Sequence, residues 1–320
     1  MNLRPLGRTG LQVSPLCLGG NVFGWTADRD TSFALLDRFV DGGGNFIDTA
    51  DSYSRWVPGH AGGESETIIG EWLARGGRRD RVVIATKVGS DMGQGRKDLR
   101  ASWIRRAVED SLRRLRIEAI DLYQAHWDDQ ATPQEETLGA FADLVRAGKV
   151  RAIGCSNHDA ARLGSALAIS DRLGLPRYAT LQPHFNLVDR SGYAGALEDL
   201  CRREGLGVIP YYSLASGFLT GKYRDPAQAE GKARGRSVAK YLDAAGLALL
   251  GLLDRVAAAH GATPAQVALA WLMARPGITA PIASATSTAQ LDELLGAMRL
   301  ALDPAAIAEL DAAQRPPQSS

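Results

Sequence analysis

Short apolar runs alternate with longer amphipathic stretches along most of the chain. The runs lack the apolar-polar alternation of half-exposed strands, which favours parallel strands covered on both faces. Eight runs are predicted as strands, at residues 16–18, 45–47, 82–85, 120–124, 150–153, 179–182, 207–210 and 280–282. Eight amphipathic stretches are predicted as helices, at residues 31–42, 64–74, 102–115, 133–147, 160–173, 194–203, 264–275 and 288–298.

Eight alternating strands and helices are typical of a (β/α)8 TIM barrel, an α/β fold. A doubly wound sheet also alternates, but it usually carries a GxGxxG turn after its first strand. Gly19, Gly20 and Gly24 do not fit that spacing. We therefore predict a single barrel domain over residues 1–320, with an N-terminal β-hairpin in residues 3–13 and long loops at the C-terminal face.

Two helix starts are marked by a threonine before a proline. Thr132-Pro133 and Thr263-Pro264 each place an N-cap residue before a proline at the first helical position. In the helix predicted over residues 102–115, apolar side chains fall on one face and arginines on the other. We interpret those arginines as solvated surface.

Composition narrows the possible partners. Thirty-seven Lys and Arg nearly balance thirty-six Asp and Glu, so we expect a small-molecule ligand and neither nucleic acid nor a membrane. Cys17, Cys155 and Cys201 are scattered without a CxxC spacing, which predicts reduced, buried thiols, no disulfide framework and no metal site. No stretch approaches the roughly 20 apolar residues of a membrane span. We expect a cytoplasmic protein.

Four polar side chains follow predicted strands, where barrel enzymes keep their chemistry. Asp48 ends the second strand and Tyr53 follows on the same loop, while Lys87 ends the third strand and His126 the fourth. Because the carboxyl ends of barrel strands share one mouth, we expect all four to meet. Each alone is weak evidence, since a lysine after a strand is often a surface charge and an aspartate often caps a turn.

Together these side chains can donate a proton. A free tyrosine has a pKa of about 10, and an adjacent ammonium favours the phenolate and lowers that pKa. We expect Lys87 to tune Tyr53 in this way, and Asp48 to hold Lys87 charged and in place. His126 can orient a carbonyl oxygen or relay a proton. The set has no electron source, so a reduction needs a hydride-bearing cofactor.

The same residues resemble the aldo-keto reductase family. The segment from Asp48 to Tyr53, D-T-A-D-S-Y, matches the family's D-T-A-x-x-Y, and Lys87 and His126 stand at its catalytic lysine and histidine. The opening L-G-R-T-G-L-Q-V-S is similar to the family's N-terminal hairpin. The resemblance covers essentially the whole chain. It implies a reductase of aldehydes or ketones, or an alcohol dehydrogenase, with Tyr53 as general acid and His126 orienting the substrate.

The resemblance also implies a nicotinamide site. Ser156 and Asn157, in G-C-S-N after the fifth strand, resemble the G-x-S-N that holds the nicotinamide carboxamide, with Gln182 as its partner. From the residues alone, Ser156 and Asn157 could equally cap a helix, and Gln182 could bond loop backbone.

Farther along the chain, Tyr211 stands where the family stacks an aromatic ring on nicotinamide, although the usual proline is missing from Tyr211-Tyr212-Ser213-Leu214. The stretch from Leu214 to Tyr223 is similar to the family's loop whose backbone and lysine, here Lys222, approach the pyrophosphate. We interpret the other basic residues of this region as solvated loop: Arg224, Lys232, Arg234 and Arg236.

The last strand and helix resemble the region that grips the adenosine and its 2′-phosphate. Ser284 and Gln290 stand where many NADP-preferring relatives carry Lys or Arg, although Ser284, Thr286 and Gln290 can hydrogen-bond a phosphate at a helix N-terminus. Glu293 is placed to meet the adenine amine, or is surface charge. NADP(H) is favoured, with NAD(H) possible.

Four aromatic residues are predicted to line the substrate pocket: Phe23, Trp25, Trp56 and Trp127. For any one of them, packing in the core is the alternative. An aromatic wall suits a carbonyl or alcohol of modest size but does not choose among aldehydes, ketones and sugars. Monomer and homo-oligomer both stay open.

Two other functions are compatible with a barrel of this kind. One is a regulatory or sensor subunit that binds the cofactor with little turnover, which the intact Asp48, Tyr53, Lys87 and His126 disfavour. The other is a lyase or isomerase using Lys87 as a Schiff base, which predicts imine trapping by borohydride.

Overall fold

The computed structural model describes residues 2–232 and 234–313. It opens on a two-stranded antiparallel hairpin of β1 (Arg4–Pro5) and β2 (Gln12–Val13). Gly7 at its turn packs so closely on the barrel that a Cβ there would collide with the carbonyl oxygen of Ala179. The predicted hairpin is therefore confirmed, and it covers the N-terminal end of the barrel.

Eight parallel strands follow in the order β10-β3-β4-β5-β6-β7-β8-β9. They are β3 (Cys17–Gly19), β4 (Phe46–Asp48), β5 (Val83–Val88), β6 (Ile120–Ala125), β7 (Val150–Ser156), β8 (Thr180–Gln182), β9 (Gly207–Val208) and β10 (Ile282–Ala283). Backbone bonds from Thr279 N to the Val208 carbonyl (2.8 Å) and from Ile282 N to the Pro210 carbonyl (2.8 Å) join the two ends of this sheet. The predicted (β/α)8 barrel is confirmed.

Twelve α-helices lie in the described residues. They are α1 (Arg29–Asp41), α2 (Glu64–Leu73), α3 (Ala101–Leu115), α4 (Gln134–Arg146), α5 (Ala160–Leu173), α6 (Ala196–Glu204), α7 (Pro226–Ala229), α8 (Gly235–Ala239), α9 (Ala244–Ala259), α10 (Pro264–Ala274), α11 (Thr288–Ala297) and α12 (Pro304–Ala312). The eight predicted helices are all present, whereas α7, α8, α9 and α12 were not predicted. Taken singly, none of the described helices is both long and apolar enough to cross a membrane; α9 and α10 qualify only as a pair, bent by 89°.

The two threonine-proline helix starts have different outcomes. Thr263 caps α10 as predicted, because its side chain accepts from Gln266 N while the Gln266 side chain accepts from Thr263 N. Thr132 does not cap α4. Pro133 itself occupies the N-cap position, and the Thr132 hydroxyl donates instead to Asp129 Oδ2 at 2.6 Å.

Strand alternation divides the core in two and positions the site. On β4 and β5, Phe46, Val83 and Ala85 belong to a small cluster with the hairpin's Leu6, while their neighbours pack under the helices. Continuing that two-residue period along each strand brings Asp48 and Lys87 to the interior, above the apolar layer. Burying each large apolar side chain beneath them contributes about 1.5–3 kcal/mol.

Candidate active site

A cavity of about 860 Å³ opens at the carboxyl ends of the strands. Most of the predicted site residues line it: Asp48, Tyr53, His126, Ser156, Asn157, Gln182, Tyr211, Leu214, Lys222, Ser284, Thr286, Gln290, Glu293, Trp56 and Trp127. Lys87 is fully buried and bonded to two of these residues. The structure thus brings together residues that are up to 245 positions apart in sequence, from Asp48 to Glu293.

Lys87 has a complete set of hydrogen-bond acceptors. Its Nζ lies 2.6 Å from Asp48 Oδ2, 2.8 Å from the Thr49 carbonyl oxygen and 2.8 Å from the Tyr53 hydroxyl oxygen. An ammonium has three N–H donors, so all of them are used. The group is therefore held in one orientation, with one N–H directed at the phenol oxygen.

The expected lowering of the Tyr53 pKa is wrong. Burial raises the pKa of this phenol well above its ordinary value, and the carboxylate of Asp48 raises it further. The Tyr53 hydroxyl also donates to Asp48 Oδ2 at 3.2 Å, which holds the proton on the phenol. Tyr53 is accordingly a protonated phenol at neutral pH, able to donate.

Asp48 is held by donors on both of its oxygens. Oδ2 accepts hydrogen bonds from Lys87 Nζ and, at 3.2 Å, from the Tyr53 hydroxyl. Oδ1 accepts one from Gln182 Nε2 at 2.8 Å. Gln124 Nε2 lies 3.5 Å from the same Oδ1. Gln124 had not been singled out from the sequence. The only available signal was an uncharged polar residue two positions before His126 on a strand that is otherwise mostly apolar.

His126 lies beside the ring of Tyr53 and is a neutral imidazole. Burial lowers its pKa well below the ordinary value, and the positive charges of Lys87 and Lys97 lower it further. Its ring stacks on Trp127, with centroids 5.7 Å apart, and meets the ring of Tyr53 edge-on at 6.1 Å. Ser90, another residue missed from the sequence, places its Oγ 2.9 Å from His126 Nδ1.

Ser156 and Asn157 do not act as a helix cap, because α5 is capped by the side chain of Asp159. Asn157 adopts a left-handed φ of 55° and donates from Nδ2 to the His126 carbonyl oxygen at 2.9 Å. Its Oδ1 accepts the hydroxyl of Tyr211 at 2.7 Å. Ser156 Oγ donates to the Gln182 carbonyl oxygen at 2.8 Å. These side chains form one connected polar wall of the cavity.

Tyr211 presents an aromatic ring that is supported from behind. The ring of His184 stacks against it at 5.4 Å with an interplanar angle of 22°. Where the family pattern has proline, the Ser213 hydroxyl donates to the Pro210 carbonyl oxygen at 3.1 Å and holds the turn. Tyr211 itself is tied to Asn157, so its ring has a fixed place on the wall.

Two loop cations line the cavity although they were expected to be only solvated surface. Arg234 is partly buried, and its guanidinium lies 5.7 Å from the centroid of the Trp25 ring. Within the described residues no carboxylate lies within ion-pair distance of it, and burial lowers its pKa. Lys232 also lines the cavity, together with the predicted Lys222. The surface interpretation was wrong for Arg234, whereas Lys232 is exposed as expected although it lines the cavity, and Arg224 is a surface residue paired with Asp254.

The N-terminus of α11 closes one end of the cavity. Ser287 caps this helix, accepting from Gln290 N, and Gln290 Oε1 in turn accepts from Thr286 N at 2.9 Å. Ser284 Oγ donates to Asn21 Oδ1 at 2.6 Å. The side chains are polar and uncharged apart from Glu293, which lines the cavity one helical turn farther along.

The four aromatic residues that were predicted to line the pocket lie in different environments. Trp56, half of whose side chain is exposed, and Trp127 line the cavity on either side of Tyr53. Trp25 lies behind Trp56, edge-on at 5.6 Å, and lines a smaller neighbouring cavity of about 680 Å³. Phe23 is fully buried in the core, so its prediction as a pocket residue is wrong; it packs beneath the loop rather than facing the cavity.

Comparison with known proteins identifies relatives along nearly the whole chain. Residues 15–315 match the aldo/keto reductase family. The chain is 39% identical to the uncharacterized oxidoreductase YrpG of Bacillus subtilis (strain 168), covering 93% of this chain and 91% of that protein. It is 33% identical to protein tas of Escherichia coli (strain K12), covering 98% and 97%. It is 32% identical to L-glyceraldehyde 3-phosphate reductase of the same strain, covering 93% and 88%.

Proposed function

The chain belongs to the aldo/keto reductase family, and from that premise we propose that it is an NADP(H)-dependent reductase of aldehydes or ketones, working in reverse as an alcohol dehydrogenase. One observation carries the proposal. A buried ammonium, Lys87 Nζ, lies between the Asp48 carboxylate and the Tyr53 hydroxyl at the floor of a cavity large enough for a cofactor and a small substrate.

In this mechanism Tyr53 is the general acid. Its phenol passes a proton to the carbonyl oxygen of the substrate, and the phenolate left behind accepts a hydrogen bond from Lys87, whose N–H is already directed at it. Because the other two N–H bonds of Lys87 are committed to Asp48 and Thr49, the donor does not have to reorganise as charge develops.

His126 and the aromatic side chains orient the substrate. A neutral imidazole beside the phenol can donate a hydrogen bond to the same carbonyl oxygen without competing for its proton. Trp56 and Trp127 would hold the carbonyl's substituents and exclude water from the reacting atoms.

The residues that line the cavity suit a nicotinamide dinucleotide. Ser156, Asn157 and Gln182 offer hydroxyl and amide groups for the carboxamide, and Tyr211 offers a supported ring for stacking. Bound NADPH would supply the hydride. The guanidinium of Arg234, which has no carboxylate partner among the described residues, suits its phosphates.

The preference for NADP(H) over NAD(H) rests on charge. Lys222, Lys232 and Arg234 bring three cations to the cavity, and the N-terminus of α11 adds backbone N–H groups beside Thr286. These groups would compensate for the uncharged side chains at Ser284 and Gln290.

The first experiment is a titration of the purified protein with NADPH and with NADH, followed by quenching of tryptophan fluorescence. A reductase assay on a panel of aldehydes and ketones follows. We expect tighter binding of NADPH and turnover of at least one carbonyl class. Binding without turnover would favour a sensor subunit instead, and no binding of either dinucleotide would overturn the proposal.

A further inference from the structure

Only one of the two ring nitrogens of His126 is bonded to a protein group in the described residues. Nδ1 lies 2.9 Å from the hydroxyl oxygen of Ser90, a buried residue that also lines the cavity. Nε2 has no hydrogen-bond partner there, and His126 lines the cavity. A ligand in the cavity therefore meets an imidazole whose other nitrogen is already engaged.

Ser90 is fixed by the backbone on both sides of it. His126 N donates to the Val88 carbonyl at 2.8 Å, which sets the two segments side by side. Gly89, with a φ of 108°, then turns the chain, and its carbonyl accepts from Asp98 N at 3.2 Å. The Ser90 carbonyl accepts Gln94 Nε2 at 2.9 Å. The hydroxyl thus has little freedom to leave His126.

The imidazole carries one hydrogen, not two. The groups that face it are the ammonium ions of Lys87 and Lys97, the phenol of Tyr53 and the ring of Trp127, and none of them is a carboxylate. Nothing in this set stabilises an imidazolium. A neutral imidazole has one donor and one acceptor nitrogen, so the partner of Nδ1 decides what Nε2 offers.

We propose that Ser90 is a positioning residue for the proposed carbonyl reduction: it donates its hydroxyl hydrogen to His126 Nδ1 and so holds the ring as the Nε2–H tautomer. In that form Nε2–H donates to the carbonyl oxygen and to the alkoxide that forms from it. The opposite arrangement, with Nδ1–H donating to Ser90, would turn the Nε2 lone pair toward the lone pairs of that oxygen. The kinetic part of this inference rests on the proposed function, but the tautomer does not.

The tautomer can be measured without substrate or turnover. Two-bond proton–nitrogen correlation spectra of protein labelled with ¹⁵N-histidine distinguish Nδ1–H from Nε2–H, and a His126→Asn variant assigns the signal among the five histidines. We expect the wild type and Ser90→Thr, which keeps the hydroxyl, to show mainly Nε2–H. Ser90→Ala should show a several-fold rise in the Nδ1–H population. Mainly Nδ1–H in the wild type, or an unchanged ratio in Ser90→Ala, would overturn the inference.

Steady-state kinetics supply the second measurement. Ser90→Ala should lower kcat for carbonyl reduction by about 10-fold to 100-fold, the usual cost of losing a partner that orients a functional histidine, with the KM for NADPH unchanged. Ser90→Thr should recover most of the rate, and Ser90→Cys, with its weak donor, should be intermediate. Equal losses in Ser90→Thr and Ser90→Ala would contradict a role for the hydroxyl.

The matched control is Ser32→Ala on α1, which removes another buried hydroxyl, bonded to the Asp28 carbonyl and outside the cavity. It should leave both the His126 tautomer and kcat unchanged. If the wild type reduces no carbonyl, the proposed function fails while the spectra still decide the tautomer. If it reduces carbonyls but the Ser90→Ala tautomer is unchanged, the inference about Ser90 fails alone.

Discussion

Lys87 donates all three of its N–H bonds within the site, and this fixes the relation between Asp48 and Tyr53. The sequence predicted that the three residues would meet, because each lies at the end of a strand or on the loop after it. For Tyr53, however, the sequence predicted a lowered pKa, whereas the pKa is raised. The pKa of Tyr53 is raised because the phenol is buried and lies beside the Asp48 carboxylate, and neither the burial nor that contact can be read from strand spacing.

Replacing Tyr53 by phenylalanine tests the proton donor. Because the phenol acts on the transition state, kcat should fall at least about 100-fold while NADPH binding, followed by tryptophan fluorescence, is retained. Tyr212→Phe is the matched control, since this half-exposed tyrosine lines the same cavity without bonding to Lys87. Comparable activity in Tyr53→Phe and the wild type would remove Tyr53 from the mechanism.

The raised pKa of Tyr53 predicts opposite pH profiles for the two directions of reaction. Reduction needs the phenol, which is present below its pKa, so kcat should be level through neutral pH and fall only in strongly alkaline buffer. Alcohol oxidation needs the phenolate and should rise with pH over the same alkaline range. Because burial lowers the pKa of His126, no break is expected near pH 6.5.

Rate measurements at saturating cofactor, extended from pH 6 into alkaline buffers above pH 10, would check both directions. A reduction rate that already falls between pH 7 and 8 would mean that the phenol ionises more readily than its surroundings imply.

At the scale of elements, α2 and α3 are joined by a buried ion pair. Glu66 on α2 is fully buried, with Oε2 2.7 Å from Arg114 Nε on α3 and Oε1 2.5 Å from the Thr86 hydroxyl, next to Lys87 in β5. The sequence pattern assigned Arg114 to the solvated face of its helix, together with the neighbouring Arg113. Periodicity places a side chain on a face, but it does not reveal a carboxylate on the adjoining helix.

Arg114→Ala should therefore destabilise the protein, because it leaves the charge of Glu66 buried without its partner. We expect the free energy of unfolding to fall by about 3 kcal/mol, measured by urea denaturation. Arg113→Ala removes an exposed arginine from the same turn and should leave the midpoint almost unchanged. Equal effects of the two substitutions would mean that the buried pair contributes nothing.

The N-terminus of α11 offers a test of dinucleotide selection. Gln290→Arg adds a guanidinium beside the uncharged Ser284 and Thr286 and should shift the ratio of the Kd values about 10-fold toward NADPH over NADH. Ala289→Arg adds the same charge at an exposed neighbouring position that does not line the cavity. An equal shift in both variants, or none in Gln290→Arg, would show that this helix does not read the 2′-phosphate.

The helices that were not predicted share a cause. Three of them, α7, α8 and α9, lie between β9 and β10 in addition to α10, and α12 follows the last strand-helix unit, so counting one helix for each strand passes over all four. The two longest are α9 and α12. Each nevertheless begins with an aspartate N-cap, Asp243 accepting from Gly246 N and Asp303 accepting from Ala306 N, both at 2.8 Å. Local start signals were thus present in the sequence even where the repeating pattern gave none.

For the whole molecule, eight apolar runs without alternation predicted parallel strands covered on both faces, and their number together with the missing GxGxxG turn favoured a barrel over a doubly wound sheet. Catalytic positions at strand ends followed from the same geometry. The sequence did not predict contacts between loops, such as those of Ser90 with His126 and of Arg234 with Trp25. Loop conformations depend on backbone turns such as that at Gly89, and no periodicity encodes them.

The N-terminal hairpin also contacts the segment that precedes the last barrel strand, β10. The guanidinium Nη1 of Arg4 donates to the carbonyl oxygens of Met273, Ile278 and Thr279, just before β10, at 3.0–3.3 Å. During synthesis these partners emerge some 270 residues after Arg4. The first barrel strand, β3, pairs on one side with β10, so that edge stays unpaired until β10 has been synthesised, and the barrel closes only after the other strands are in place.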